Sequence, residues 1–148
     1  MSLSARETAM NLLAVREHST QELRNKLLAR GFADEEIASA LQTLSLDGLL
    51  SDERFVESFI HFRMQRGSGP VKIRAELRQR GVRDALIRDY LDERDAVWME
   101  QAEKVRRKKF GPQIPADYRE RARQARFLQY RGFTSEQTRR ALHDDVFD

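Results

Sequence analysis

The sequence predicts an all-α protein of three tandem three-helix, helix-turn-helix-like repeats forming an elongated, curved array, and three observations carry that prediction. An Arg-Gly pair recurs at Arg30-Gly31, Arg80-Gly81 and Arg131-Gly132, its glycines 50 and then 51 residues apart, a period in the range of helical repeat units. Around each glycine the same offsets stay apolar: Leu27, Leu77 or Leu128 four before, Phe32, Val82 or Phe133 one after, and Leu41, Leu91 or Leu142 ten after. Only 3 prolines and 7 glycines interrupt 148 residues that are otherwise rich in the good helix formers Ala, Leu, Arg, Glu and Gln.

Repeat 1 covers residues 1–50. Its first helix is expected over about Ala5–Arg16, where Ala9, Leu12 and Leu13 follow helical spacing and Arg16 puts a charge at the end. Ser19 and Glu22 have the spacing of a capping box, which starts the second helix. Gly31 then closes that helix, because glycine adopts the left-handed conformation most easily. The apolar Phe32 tucks the turn into a core, and a third helix runs on to Leu41.

Repeat 2 covers residues 51–95. A helix over Asp52–Arg66 carries the apolar stripe Phe55, Phe59, Ile60 and Phe62, expected to be core. Gly67-Ser68-Gly69-Pro70 is a tight bridge that places Pro70 at the first position of the next helix, where a missing N–H does no harm. The copy from Ile73 to Leu91 follows.

Repeat 3 covers residues 96–148. Its first helix is expected over Ala96–Phe110, and the longer Phe110-Gly111-Pro112-Gln113-Ile114-Pro115 segment is a rigid spacer or a small hinge. The copy from Gln124 to Leu142 contains a second capping-box pair, Thr134 with Gln137. This repeat departs most from the pattern, with Gln124 where the others have Leu23 or Ile73, and Thr138 where they have Ile37 or Ile87.

Composition excludes several kinds of function. Without cysteine there are no disulfides, thiol nucleophiles or cysteine-based zinc sites, in keeping with a reducing compartment. No apolar run approaches the roughly 20 residues that span a bilayer, and the N-terminus lacks the apolar core of a signal peptide. A cytoplasmic protein is expected. His18, His61 and His143 are far apart and expected to be surface or partly packed side chains, so no metal is expected. Gly67-Ser68-Gly69-Pro70 lacks the Lys-Ser/Thr of a phosphate loop. Asp52-Glu53 reads as helix capping and Asp144-Asp145 as tail charge. Nothing assembles a nucleophile, a base and an oxyanion site, so neither an enzyme nor a cofactor is expected.

The net charge is only +3, but residues 101–148 hold 12 basic against 7 acidic side chains while residues 1–50 hold 5 against 7. Lys104, Arg106, Arg107, Lys108 and Lys109 fall together. Arg119, Arg123 and Arg126 have the spacing of one helix face, with Tyr118, Ala122 and Ala125 marking the apolar stripe beside it. Arg74 and Arg78 make a smaller pair. Such clusters fit a polyanion or an acidic protein groove.

The central repeat carries a recognisable signature: Leu50-Ser51-Asp52-Glu53-Arg54-Phe55, then Arg63, Arg66-Gly67, Gly69-Pro70, Ile73, Glu76-Leu77 and Arg80-Gly81-Val82. With Ser19, Glu22-Leu23, Lys26-Leu27 and Arg30-Gly31-Phe32 before it, and Phe127-Leu128 and Arg131-Gly132-Phe133 after it, the chain resembles the RecX family along its whole length. That resemblance implies a non-catalytic monomer that binds the groove of the RecA recombinase filament and inhibits its ATPase, strand-exchange and coprotease activities. Weak binding to single- and double-stranded DNA is implied beside it, and the alternative is a helical module that binds DNA directly without RecA. The basic residues named above are then the candidate filament or DNA contacts, while Asp52, Arg54, Phe55, Gly69, Pro70, Ile73, Leu77 and Gly81 are expected to be structural.

Overall fold

At several helix starts a side chain satisfies amides that the helix itself leaves free. In the computed structural model, which describes residues 2–143, Ser19 with Glu22 and Thr134 with Gln137 form complete capping boxes, and Ser4 with Glu7 forms a further one. Asp95 and Asp117 cap the next two starts by accepting the N–H of Val97 and of Glu120. Among the described residues these signals and the apolar spacing produce nine helices and no strand: α1 Ala5–Val15, α2 Thr20–Ala29, α3 Asp34–Leu46, α4 Asp52–Gln65, α5 Pro70–Gln79, α6 Asp84–Tyr90, α7 Ala96–Phe110, α8 Tyr118–Tyr130 and α9 Ser135–Ala141. Asp144 and Asp145 lie outside the described residues.

The Arg-Gly turns share one geometry. Gly31, Gly81 and Gly132 have φ of 89°, 80° and 99°. The N–H of Phe32, Val82 and Phe133 returns to the carbonyl of Leu27, Leu77 and Leu128 at 3.3, 3.1 and 3.1 Å. This is the paired-bond ending in which a left-handed residue lets the chain satisfy the last carbonyls of the helix.

Packing groups the helices into two units. Unit 1 comprises the chain up to Phe59 together with Leu77–Tyr90. In it α1, α2 and α3 pack on one another around Ala9, Leu23, Leu27, Ile37, Leu41, Leu44 and Leu50. The signature residues of this unit make specific bonds. Asp52 accepts the N–H of Thr20 at 2.7 Å, Arg54 pairs with Glu17 at 3.0 Å, and Ser19, besides capping α2, donates its hydroxyl to the Arg80 carbonyl at 2.6 Å. Phe55 and Leu77 are buried, and a Cβ on Gly81 would sit 2.4 Å from the Cβ of Gln21.

His18 corrects the expectation of a surface or partly packed histidine, since it is 1% exposed. Its Nδ1 donates to the Arg16 carbonyl at 3.0 Å and its Nε2 accepts from Lys26 Nζ at 2.8 Å. Burial, helped by the charges of Arg16 and Lys26, holds its pKa below 6.5 and keeps the ring neutral.

Unit 2 comprises Ile60–Glu76 and the chain from Leu91 on. Here α7 packs on α8 and α9, burying Trp98, Ala102, Leu128, Phe133, Ala141 and Leu142. Ile73 is fully buried, and Pro70 starts α5. The Gly69 turn lies directly on the third Arg-Gly turn: the N–H of Gly69 donates to the Arg131 carbonyl at 2.7 Å and that of Val71 to the Gly132 carbonyl at 2.9 Å. A Cβ on Gly69 would meet Gly132 and Phe133 backbone atoms at 2.5 Å, so that approach requires glycine.

Two expectations change. The stripe Phe55, Phe59, Ile60 and Phe62 is not uniformly core, because its members serve different units. Phe55 and Phe59 pack in unit 1 with ring centroids 5.6 Å apart, whereas Phe62 in unit 2 is 48% exposed under the Arg66 guanidinium, 4.4 Å from its ring. Gln124 and Thr138 fill the apolar positions they replace and are buried as polar groups. Gln124 gains bonds there, while the Thr138 hydroxyl has no hydrogen-bond partner among the described residues.

Candidate functional site

α7 and α8 carry most of the basic side chains of unit 2, and the helical period decides which of them face outward. On α7, Trp98, Ala102 and Val105 take the buried stripe, leaving Lys104, Arg107, Lys108 and Lys109 exposed. Arg107, Lys108 and Lys109 fall in the last turn, where cations also offset the negative end of the helix dipole. Lys104 and Lys108 have no hydrogen-bond or ion-pair partner among the described residues.

Arg106 does not belong to that surface. It is 1% exposed, and its Nη1 donates to the carbonyls of Gly111 and Gln113 at 3.4 and 3.2 Å and to Oε1 of Gln124 at 3.4 Å. The side chain stands four residues after Ala102 and eight after Trp98, on the buried stripe itself, and ties Gly111 and Gln113 to α7. Burial lowers its pKa, as desolvation does for any cation. Gln124, unmatched in the other repeats, is its buried acceptor.

On α8, Arg119, Arg123 and Arg126 are all exposed. Arg123 is held by two bonds to Glu120, at 3.0 and 2.8 Å, and lies 5.0 Å over the Phe110 ring. Bonds from Arg123 and Gln124 lower the Glu120 pKa. The apolar stripe expected beside these arginines is not formed by Tyr118, which is 83% exposed; Gln124 and Leu128 are the buried residues of this helix. Gln124 stands four residues before the fully buried Leu128 and so shares its face, whereas Tyr118 is the first residue of the helix.

Arg74 and Arg78 are each paired locally. Arg74 binds Glu93 and the Leu91 carbonyl within unit 2, while Arg78 binds Asp84 at 2.7 Å within unit 1.

Residues from distant parts of the sequence complete a groove of about 450 Å³ in unit 2. Met64, Val105 and Phe127 give its lining apolar groups and Arg66, Lys104, Lys108, Lys109 and Arg131 give it cations, with no acidic side chain in the lining. Arg131 braces one wall: it donates to the Arg66 carbonyl at 3.0 Å and lies 4.8 Å over the Phe127 ring. Gly67 permits this, because a Cβ there would come within 2.7 Å of the Arg131 guanidinium. Gln101 ties α7 to the end of α4 through a 2.6 Å bond to the Met64 carbonyl. In the sequence Arg66 stands out only as part of the central signature and Arg131 only as part of the third Arg-Gly turn. Their convergence depends on contacts between residues 65 positions apart, for which helical spacing gives no signal.

Among the described residues no group of His, Cys, Asp and Glu side chains could hold a metal ion, and no helix is long and apolar enough to cross a membrane.

Comparison with known proteins gives a consistent result. Family models described as the first, second and third three-helix domains of RecX match residues 5–44, 51–91 and 98–142. The chain is 47% identical over 140 residues to a regulatory protein RecX from Halorhodospira halophila, covering 95% of this chain and 87% of that one. It is 48% identical to a regulatory protein RecX from Pseudomonas fluorescens strain SBW25, covering 95% and 90%. In fold it is similar to the crystal structure of RecX from Lactobacillus salivarius, with a TM-score of 0.78 at 18% identity over 97% of this chain and 96% of that one. A second crystal structure of regulatory protein RecX matches with a TM-score of 0.77 at 23% identity, covering 95% and 71%.

Proposed function

This chain belongs to the RecX family of regulatory proteins, and on that footing we propose that it is a negative regulator of the RecA recombinase. In this reading it binds the groove of the RecA nucleoprotein filament and limits ATP hydrolysis, strand exchange and coprotease activity. It works in the cytoplasm as a monomer, by binding and not by catalysis, with residues 1–50, 51–95 and 96–148 as its three repeats. The observation that carries the reading is the family match in all three domains.

The exposed face of Arg119, Arg123 and Arg126, with Lys104, Arg107, Lys108 and Lys109, supports a contact with an anionic partner. Arg74 and Arg78 are secondary contacts in this proposal, and Arg106 is withdrawn from the set because it is buried.

The test is RecA-catalysed, single-strand-dependent ATP hydrolysis with this protein titrated at substoichiometric amounts, beside its binding to the same DNA without RecA. Inhibition well below the amount that coats the DNA is the expected result. Inhibition only at DNA-saturating amounts would transfer the function to a direct DNA-binding module, whose affinity falls steeply with salt. Reversing Arg119, Arg123 and Arg126 to Glu should weaken inhibition while helicity is kept; full inhibition by that folded variant would remove this face from the contact.

A further inference from the structure

We propose that the unit 2 groove between the end of α4, α7 and α8 is a docking site for an acidic peptide segment that carries an apolar anchor residue. Five cations line the groove and no carboxylate does, so its charge is complementary to Asp and Glu side chains. Met64 and Val105 line it with apolar atoms beside the covered Phe127 ring, and burying one apolar side chain against them adds affinity that charge alone does not supply. The two properties together select an acidic chain with an embedded Leu or Phe.

A nucleic-acid strand would offer phosphates to the same cations, but the lining counts against it. The Phe127 ring is already engaged by Arg131 at 4.8 Å and Lys109 at 5.8 Å, with Phe110 edge-on at 5.2 Å. It therefore offers no cleared platform of the kind on which bases stack. Lys104 and Lys108 are uncommitted among the described residues, whereas Arg66 and Arg131 are fixed over aromatic rings. Two lysines without partners among the described residues, each a point charge on a flexible stem, suit carboxylates whose spacing along a peptide varies.

This inference does not rest on the filament reading and is tested without RecA. The probes are three fluorescein-labelled ligands read by anisotropy with the whole chain: a short peptide of Asp and Glu around a central Leu-Phe pair, the same peptide with Ser-Ser in the centre, and an oligothymidylate of similar charge. The anchored peptide is expected to bind roughly tenfold to a hundredfold more tightly than the Ser-Ser peptide. Lys104→Glu with Lys108→Glu should abolish binding of both peptides, and Met64→Ala should reduce the advantage of the anchor alone, with helicity checked by circular dichroism. Equal affinity for the two peptides, no binding of either, or tighter binding of the oligothymidylate lost in the same lysine variant would each overturn the proposal.

Discussion

Replacing Arg106 by Met removes a buried cation while keeping most of its volume, which isolates the polar contribution from cavity formation. The guanidinium holds three carbonyl oxygens, of Gly111, Gln113 and Gln124, at 3.2–3.4 Å through one nitrogen. Hydrogen bonds from a charged donor contribute about 1.5–3 kcal/mol each, but these are long and share one nitrogen, so their sum is nearer one strong bond than three. Gly111 and Gln113 regain water when the tether is lost, while Gln124, 3% exposed, keeps a buried oxygen with no donor, at about 1–3 kcal/mol. Relief of the desolvated charge acts in the opposite direction. The expected net loss for Arg106→Met is about 2–3 kcal/mol, the sum of one lost bond and one orphaned acceptor less that relief. Adding Gln124→Leu, which restores the apolar type of Leu23 and Ile73, should recover about 1 kcal/mol or more, because both polar partners are then gone. Urea unfolding followed by far-ultraviolet circular dichroism measures Arg106→Met, Gln124→Leu and the double variant. A loss below about 0.5 kcal/mol for Arg106→Met, or a double variant no more stable than the sum of the single losses predicts, would refute the assignment of Arg106 and Gln124 as one buried unit.

Gly69→Ala should strongly destabilise the protein, since its Cβ would meet backbone atoms at 2.5 Å. Gly31→Ala, with nothing within 4 Å of its Cβ, should cost only the left-handed backbone preference, about 1 kcal/mol; thermal unfolding of the two variants separates a packing requirement from a conformational one. For His18 the folded pKa lies below the ordinary 6.5, so below pH 6.5 the unfolded chain takes up a proton that the folded state resists. Stability should therefore be complete above that pH and fall as the pH drops from 6.5 toward the depressed folded value. Glu22 adds its own loss only below its ordinary 4.5: burial raises its pKa, but bonds from Arg16, Ser19 and Arg80 outweigh burial and leave it lowered. Denaturation midpoints of His18→Gln should accordingly be flatter than those of the parent between those two values, and an unchanged slope would show that another group titrates there.

The chain by itself determined the local structure, because local structure depends on neighbours a few residues away. Ser19-Glu22 and Thr134-Gln137 fixed helix starts, the three Arg-Gly turns fixed helix ends, and the constant apolar offsets Leu27, Leu77 and Leu128 named core residues that are all fully buried. The same spacing exposed Arg119, Arg123 and Arg126. Where the reading failed, a distant residue had intervened. Arg106 looked like one more cation of a basic run; its spacing from Trp98 and Ala102 puts it on the buried face, but the carbonyls that make burial of the charge tolerable lie up to 18 positions away. Gln124 looked like a defect in the repeat and is the acceptor that makes this possible. Phe62 shares a helical stripe with Phe55 but packs in a different unit. The groove drew Arg66 and Arg131 together through a bond between residues 65 apart in sequence. Tertiary structure alone decided these, since the energy of burying a charge, or of gathering several in one groove, depends on what lies across the fold, and helical periodicity reports only the face from which a side chain departs.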